Sequence, residues 1–93
     1  SFLARALCER AALGYRLEIE TAPEDARTCL NTRQALSLGG WRLHEAQALD
    51  HLIRGDDEAL QRTLARLGEE MAAAHPRLRW LQREAASPER SDT

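Results

Sequence analysis

The side chains that could carry chemistry in this 93-residue sequence are three histidines, two cysteines and thirteen arginines. There is no lysine, which excludes mechanisms that need a lysine amine, such as Schiff-base formation. His44 and His51 are seven residues apart on one predicted helix, roughly 10 Å along its axis. One metal ion could not bind both without further ligands. We therefore expect surface histidines, no metal site and no cofactor.

Other candidates for catalysis also lack suitable partners. Asp56, Asp57 and Glu58 fall in the first turn of a predicted helix, where acidic side chains complement the helix dipole. Ser37 and Ser87 have no histidine in a suitable sequence context. No catalytic residue can be assigned, and the sequence predicts a protein that is not an enzyme.

The one local excess of positive charge consists of Arg77, Arg79 and Arg83 around Trp80. Such a patch could contact an acidic protein surface or a nucleic acid. Acidic residues follow it, beginning with Glu84, and the formal net charge of the chain is −2. We therefore expect a protein partner and no direct nucleic-acid binding.

Cys8 and Cys29 are the two cysteines, and they form no CxxC motif. Two cysteines do not make a disulfide-rich scaffold, so we expect buried free thiols, with one disulfide as the alternative. No apolar run is long enough to span a membrane. We expect a cytoplasmic location. Because the sequence begins with Ser1 rather than Met, we also expect that the N-terminus has been processed.

These side chains must be positioned by helices, because alanine, leucine, arginine and glutamate dominate and valine is absent. Residues 15–21 alternate apolar and charged side chains, and we expect helix or irregular chain there, with a strand paired to a second copy as the alternative. Residues 1–86 are predicted to form one domain, followed by a disordered polar tail over 87–93. Helices are predicted over 1–13, from 21 to 36 or 38, and over 41–54, 57–74 and 77–86, with stops at Gly14, Gly39-Gly40, Gly55 and His75-Pro76.

The clearest pattern is an apolar seam with alternating spacings of four and three residues. Such a seam requires another helix laid along it at a shallow angle. The short Gly55-Asp56 link predicts an antiparallel hairpin with the helix over 41–54. Alternatively, part of the seam belongs to the interface with a second copy or another partner. The expected fold class is all-α, a small dimeric helical bundle built on this hairpin. The seam consists of Leu60, Leu64, Leu67, Met71 and Ala74.

Large apolar residues at the start of the chain predict an intermolecular surface, because the hairpin already supplies a core. A homodimer is the simplest way to cover them, and a regulatory target is the next. The expected partner interface is formed by Phe2, Leu3, Leu7, Trp41, Leu49, Leu52 and Ile53.

The stretch GGWRLHEAQALDHLIRGDDEALQRTLARLGEEM, in a lysine-free, alanine- and arginine-rich chain, resembles small helical antiactivators of LuxR-type quorum-sensing regulators. The resemblance implies a non-enzymatic protein that binds a transcription activator and blocks its dimerisation. One alternative is a small helical secretion or export chaperone. Another is a helical enzyme of the chorismate-mutase type, whose pattern requires a long first helix and a lysine that this sequence does not provide.

Overall fold

The computed structural model describes residues 2–36 and 40–87 and confirms the all-α fold class. Within these ranges there is no strand. Of the predicted tail only Ser87 is described, and Ser37 and Gly39 also lie outside the described residues. The helices are α1 (Phe2–Arg16), α2 (Ala22–Ala35), α3 (Trp41–Arg54), α4 (Asp57–Glu70) and α5 (Pro76–Ala85).

α1 passes through Gly14, where the sequence predicted its end. Gly14 is buried, and a Cβ atom at this position would lie 3.1 Å from the Cβ of Ala22. The glycine therefore allows the chain entering α2 to approach α1 closely. After Arg16 the chain turns, with Glu18 in the left-handed region at a φ of 57°. Residues 15–21 thus form the end of a helix followed by a turn, and the expectation of helix or irregular chain rather than a strand is confirmed.

α3 has the predicted bounds, and both of its ends use glycine. Gly40 precedes the helix at a φ of 65°, and Gly55 follows it in the left-handed conformation at a φ of 76°. Left-handed glycine is a common helix end because it avoids the steric cost of a Cβ atom. Asp56 then caps α4, and its Oδ1 accepts a hydrogen bond of 3.2 Å from the backbone N–H of Ala59.

α4 ends at Glu70, four residues before the predicted end at Ala74. Met71 has an extended backbone and a buried side chain, whereas Ala74 is exposed and does not belong to the seam. α5 begins at Pro76, and the imidazole of His75 accepts a hydrogen bond of 3.1 Å from the backbone N–H of Arg77. His75 is half-buried, and this hydrogen bond makes it the N-terminal cap of α5.

The core has two parts of different composition. The part between α1, α2 and α3 is built mainly from alanines and the two cysteines, whereas the part between α3, α4 and α5 is built mainly from leucines. The four seam residues Leu60, Leu64, Leu67 and Met71 are all buried in the second part. The buried side chains that join them there are Ala48, Leu52, Leu78 and Leu81.

Cys8 and Cys29 form a disulfide that links α1 to α2, with their Cα atoms 5.4 Å apart. The expectation of free thiols is therefore wrong. Alanines such as Ala4 and Ala26 line the contact between these helices, and their small size lets the two backbones approach within disulfide distance. The Sγ of Cys29 also contacts the carbonyl oxygen of Ala4 at 3.0 Å. A disulfide sulfur carries no hydrogen, so this is a packing contact and not a hydrogen bond.

Reducing the disulfide should destabilise the domain by about 3 kcal/mol, because the bond closes a loop of about 20 residues in the unfolded chain. For a domain of this size, that corresponds to a melting temperature lower by roughly 10–20 °C. Calorimetry with and without a phosphine reductant measures the shift, and a Cys8→Ser/Cys29→Ser variant is the control that should not respond. Alkylation of both cysteines in the untreated native protein would contradict the disulfide.

Candidate interaction site

A groove of about 1140 Å³ is lined by residues of α1, α2, α3 and α5 and by His75 before α5. Seven of the thirteen arginines line this groove, together with only two carboxylates, those of Glu9 and Glu45. The chain as a whole has a formal charge of −2, so positive charge is concentrated on this side of the molecule. An opening with this charge attracts anionic groups.

A connected chain of ion pairs lies along the groove. Arg33 is only 5% exposed, and its Nη1 donates to the Glu45 Oε1 at 2.8 Å and to the backbone carbonyl of Arg42 at 2.6 Å. The other oxygen of Glu45 lies 3.3 Å from the Nε of Arg77. Arg77 in turn donates to Glu9 at 2.6 Å. Side chains of α2, α3, α5 and α1 are thereby joined in one network, which uses both carboxylates of the groove.

Arg10 binds Asp25 with two hydrogen bonds, of 2.9 Å and 2.7 Å, and so fastens α1 to α2. These hydrogen bonds, and the negative charge of Asp25, raise the pKa of the Arg10 guanidinium above its ordinary value. A raised pKa on a cation stabilises the fold at every pH below the unfolded-state value, and the contribution is lost only as the pH rises through the folded-state value. The Arg10 guanidinium is therefore charged throughout the physiological range.

Four further arginines of the groove are exposed and have no carboxylate partner within residues 2–36 and 40–87: Arg5, Arg16, Arg42 and Arg83. We call these the rim arginines. They come from α1, α3 and α5. The groove therefore combines ion-paired charges with four exposed arginines that have no carboxylate partner among the described residues.

Both tryptophans of the chain line the groove and are half-buried. The guanidinium of Arg42 lies over the ring of Trp41, 4.8 Å from its centroid, and that of Arg77 lies over Trp80 at 5.2 Å. Trp80 also meets the ring of Tyr15 edge to face, with centroids 6.2 Å apart. The tryptophans thus serve both the core and the wall of the groove.

Two residues of the predicted partner interface belong to the core instead. Leu49 is 1% exposed and Leu52 is 2% exposed, so neither is accessible on the surface of the chain. The reason is the position of α3, which contacts all four other helices and buries more than one of its faces.

The other predicted interface residues differ in exposure. Phe2 and Leu3 are strongly exposed, at 89% and 60%. Leu7 and Ile53 are half-buried against the alanine-rich part of the core, and Trp41 against the leucine-rich part. Of this set, Phe2 and Trp41 also line the groove.

The predicted partner interface omitted two exposed residues, Leu13 of α1 at 52% and Leu17 just after α1 at 62%. Leu17 follows the last residue of the helix, and the predicted stop at Gly14 separated it from the residues before it. A helical period of 3.6 residues extended past Gly14 would have placed Leu17 on the side of Phe2 and Leu13.

The predicted arginine patch is divided by the structure. Arg77 and Arg83 line the groove, whereas Arg79 does not. Arg77 is mostly buried and ion-paired to two glutamates, so it is not free to bind a partner. The remaining arginines of the groove come from α1, α2 and α3, and no local sequence signal connects them with α5.

The other polar groups of the core serve packing between helices. Asp50, 2% exposed, lies 2.8 Å from Arg54 and 3.6 Å from Arg27. The approach from Arg54 is close but poorly aligned for a hydrogen bond, so the contact is ionic. His44 contacts the carboxylate of Glu70 and ties α3 to the end of α4. Among the residues described, no group of three or more histidine, cysteine or acidic side chains is placed to hold a metal ion.

No protein-family model matches the chain, and no curated protein or solved structure is significantly similar to it. Within the described ranges, no helix has both the length and the apolar character needed to cross a membrane. The groove and the exposed residues of α1 are therefore the features from which a function can be argued.

Replacing Glu45 with alanine should destabilise the fold by about 3–5 kcal/mol, because it leaves the buried Arg33 without its carboxylate. The matched control is Glu58→Ala, which removes an exposed ion pair with Arg62 and should cost no more than about 0.5 kcal/mol. Urea denaturation followed by circular dichroism measures both. Equal effects of the two substitutions would show that the buried network does not stabilise the fold.

Proposed function

We propose that the chain is a non-enzymatic regulator that binds another protein through α1. The observation that carries the proposal is the exposure of four large apolar side chains, Phe2, Leu3, Leu13 and Leu17, which we call the α1 apolar face. At 100° per residue, Phe2, Leu13 and Leu17 fall within about 60° of one another around the helix. Large apolar side chains exposed on one side of a helix mark a surface suited to a protein partner.

The chemistry of the groove supports binding over catalysis. Glu9 and Glu45, its two carboxylates, are already ion-paired to arginines. A general base must lie within hydrogen-bond reach of the substrate proton, and the oxygens of Glu45 already face Arg33 and Arg77. Arginine and tryptophan, by contrast, are the side chains most enriched at the energetic centres of protein interfaces.

The partner proposed is a LuxR-type transcription activator, following the resemblance in size, acidity and helical character. In this mechanism the α1 apolar face occupies the surface through which the activator would bind its own copy, and so blocks the activator's dimerisation. This places the chain in the cytoplasm. In the absence of the partner, the same face would pair with a second copy of this chain, which gives the homodimer.

Leu17→Asp should disrupt both associations and leave the fold intact, because Leu17 is exposed and contributes little to the core. The control is Gln61→Asp, which introduces the same charge at an exposed position of α4. Light scattering should give about twice the chain mass for the wild type and the control, and the chain mass for Leu17→Asp.

Co-expression with the LuxR-type activators of the native host tests the partner. The wild type and Gln61→Asp should co-purify with an activator and lower its dimeric fraction, whereas Leu17→Asp should not. A monomeric wild type, combined with unchanged capture of partners by Leu17→Asp, would rule out the α1 apolar face.

A second candidate, a small helical export chaperone, is favoured by the Cys8–Cys29 disulfide. Disulfides persist in oxidising compartments such as the bacterial periplasm and are rare in the cytoplasm. A periplasmic chaperone would present the same apolar face to an exported subunit.

The redox state of the cysteines in the native host separates the two candidates. Cells are quenched in acid and alkylated before any reductant is added, and the mass of the chain is then measured. Two alkyl groups on Cys8 and Cys29 would show that the disulfide is open in the host and would favour the primary proposal, since the cytoplasm keeps thiols reduced. An unmodified chain would favour the export chaperone. The Cys8→Ser/Cys29→Ser variant, which cannot be alkylated at these positions, is the control.

A further inference from the structure

We propose that the arginine-lined groove binds an acidic amphipathic segment of the protein partner. The carboxylates of the segment would pair with the rim arginines Arg5, Arg16, Arg42 and Arg83, and its apolar side chains would contact Phe2 and Leu13. The inference rests on the proposed function, because it assumes a protein partner, and it adds the chemistry of the segment that is bound.

The first argument is charge. Of the nine charged acidic and basic side chains that line the groove, only Glu9 and Glu45 are negative, and both are occupied by Arg33 and Arg77. The rim arginines therefore have no carboxylate of their own within the described residues. A guanidinium group pairs with a carboxylate through two parallel hydrogen bonds, so a ligand with several carboxylates complements this rim.

The second argument is distance. Arg5 and Arg16 are eleven residues apart on α1, which separates them by about 16 Å along the helix axis. A small dianion cannot contact both ends of such a row, whereas a polypeptide segment can. The volume of about 1140 Å³ also exceeds the usual size of a small-molecule pocket, roughly 300–1000 Å³.

The third argument is continuity with the α1 apolar face. Phe2 and Leu13 belong to that face and also line the groove. A partner that covers the face therefore reaches the groove without a break. This favours an amphipathic polypeptide over a nucleic acid, whose bases would need open aromatic rings for stacking. Arg42 and Arg77 already lie over the rings of Trp41 and Trp80.

The test is a titration with a synthetic helix-forming peptide of glutamate and leucine, about twenty residues or roughly 30 Å long. A matched peptide carries glutamine in place of glutamate. Both tryptophans line the groove, so their fluorescence reports its occupation. The acidic peptide should bind at least about tenfold more tightly than the glutamine peptide, and its affinity should fall between about 0.01 M and 0.15 M salt. Equal binding of the two peptides would overturn the inference.

Two substitutions on α5 localise the binding. Arg83→Gln should weaken the acidic peptide about five- to tenfold, because it removes a rim guanidinium. Arg79→Gln, on the same helix and exposed but outside the groove, should change the affinity less than about twofold. Equal weakening by both would show general charge attraction and overturn the inference.

Competing ligands supply the remaining outcomes. Succinate that displaces the peptide at submillimolar concentration would identify a small-dianion site, and oligothymidylate that binds more tightly than the peptide would identify a nucleic-acid site. Conversion of the dimer to a monomer by Arg83→Gln, without any peptide binding by the wild type, would identify a second copy as the occupant. Each of these results overturns the inference.

Failure of this inference can be distinguished from failure of the proposed function. Leu17 lies outside the groove, so Leu17→Asp tests the α1 apolar face without changing the rim arginines. Loss of partner capture in Leu17→Asp, with no binding of the acidic peptide to the wild type, would overturn the groove proposal alone. Peptide binding that depends on Arg83, with normal partner capture by Leu17→Asp, would instead overturn the role of the face.

Discussion

The buried ion pair between Arg33 and Glu45 constrains the rest of the structure. A guanidinium that is only 5% exposed requires a carboxylate at hydrogen-bonding distance, and Glu45 meets that requirement only if α2 and α3 pack at one register. Because Glu45 also contacts Arg77, the position of α5 is coupled to the same pair. The ion pairs of Arg33 and Arg77 thus hold together the helices that form the groove. Because these pairs use both carboxylates of the groove, the rim arginines have no carboxylate partner among the described residues.

Small and large apolar residues lie on opposite sides of α1. Its inner side carries small residues such as Ala4, Ala11 and Ala12, whereas its outer side carries Phe2 and Leu13. Small inner residues let α1 lie close to α2, and they bury little apolar area for each residue. If exposure were only an accident of a thin core, the large residues would be expected on the inside. Their outward placement is consistent with the proposed role of the α1 apolar face as a surface covered by another protein.

Features that depend on neighbouring residues could be predicted from the sequence. The bounds of α3, the cap at Asp56 and the burial of the Leu60–Met71 seam follow from glycine positions, capping preference and periodicity. Features that depend on distant residues could not. Arg77 and Glu9 are 68 residues apart, and the close approach of Ala22 to Gly14 uses the missing Cβ atom of a glycine inside α1. The groove belongs to this second group, since its arginines come from four helices.

The attachment of α1 decides both proposed surfaces. This helix carries the α1 apolar face, and it also supplies Arg5 and Arg16 to the rim of the groove. A covalent bond at Cys8 and a bidentate ion pair at Arg10 both hold it to α2. Reduction removes the first attachment and leaves the second, together with the alanine packing. A reduced chain therefore keeps the contacts that place α1 beside the groove, but with a smaller free energy opposing its separation. The two proposed compartments thus imply the same binding surface. They differ in the free energy that opposes separation of α1 from α2, which is smaller in the reduced chain.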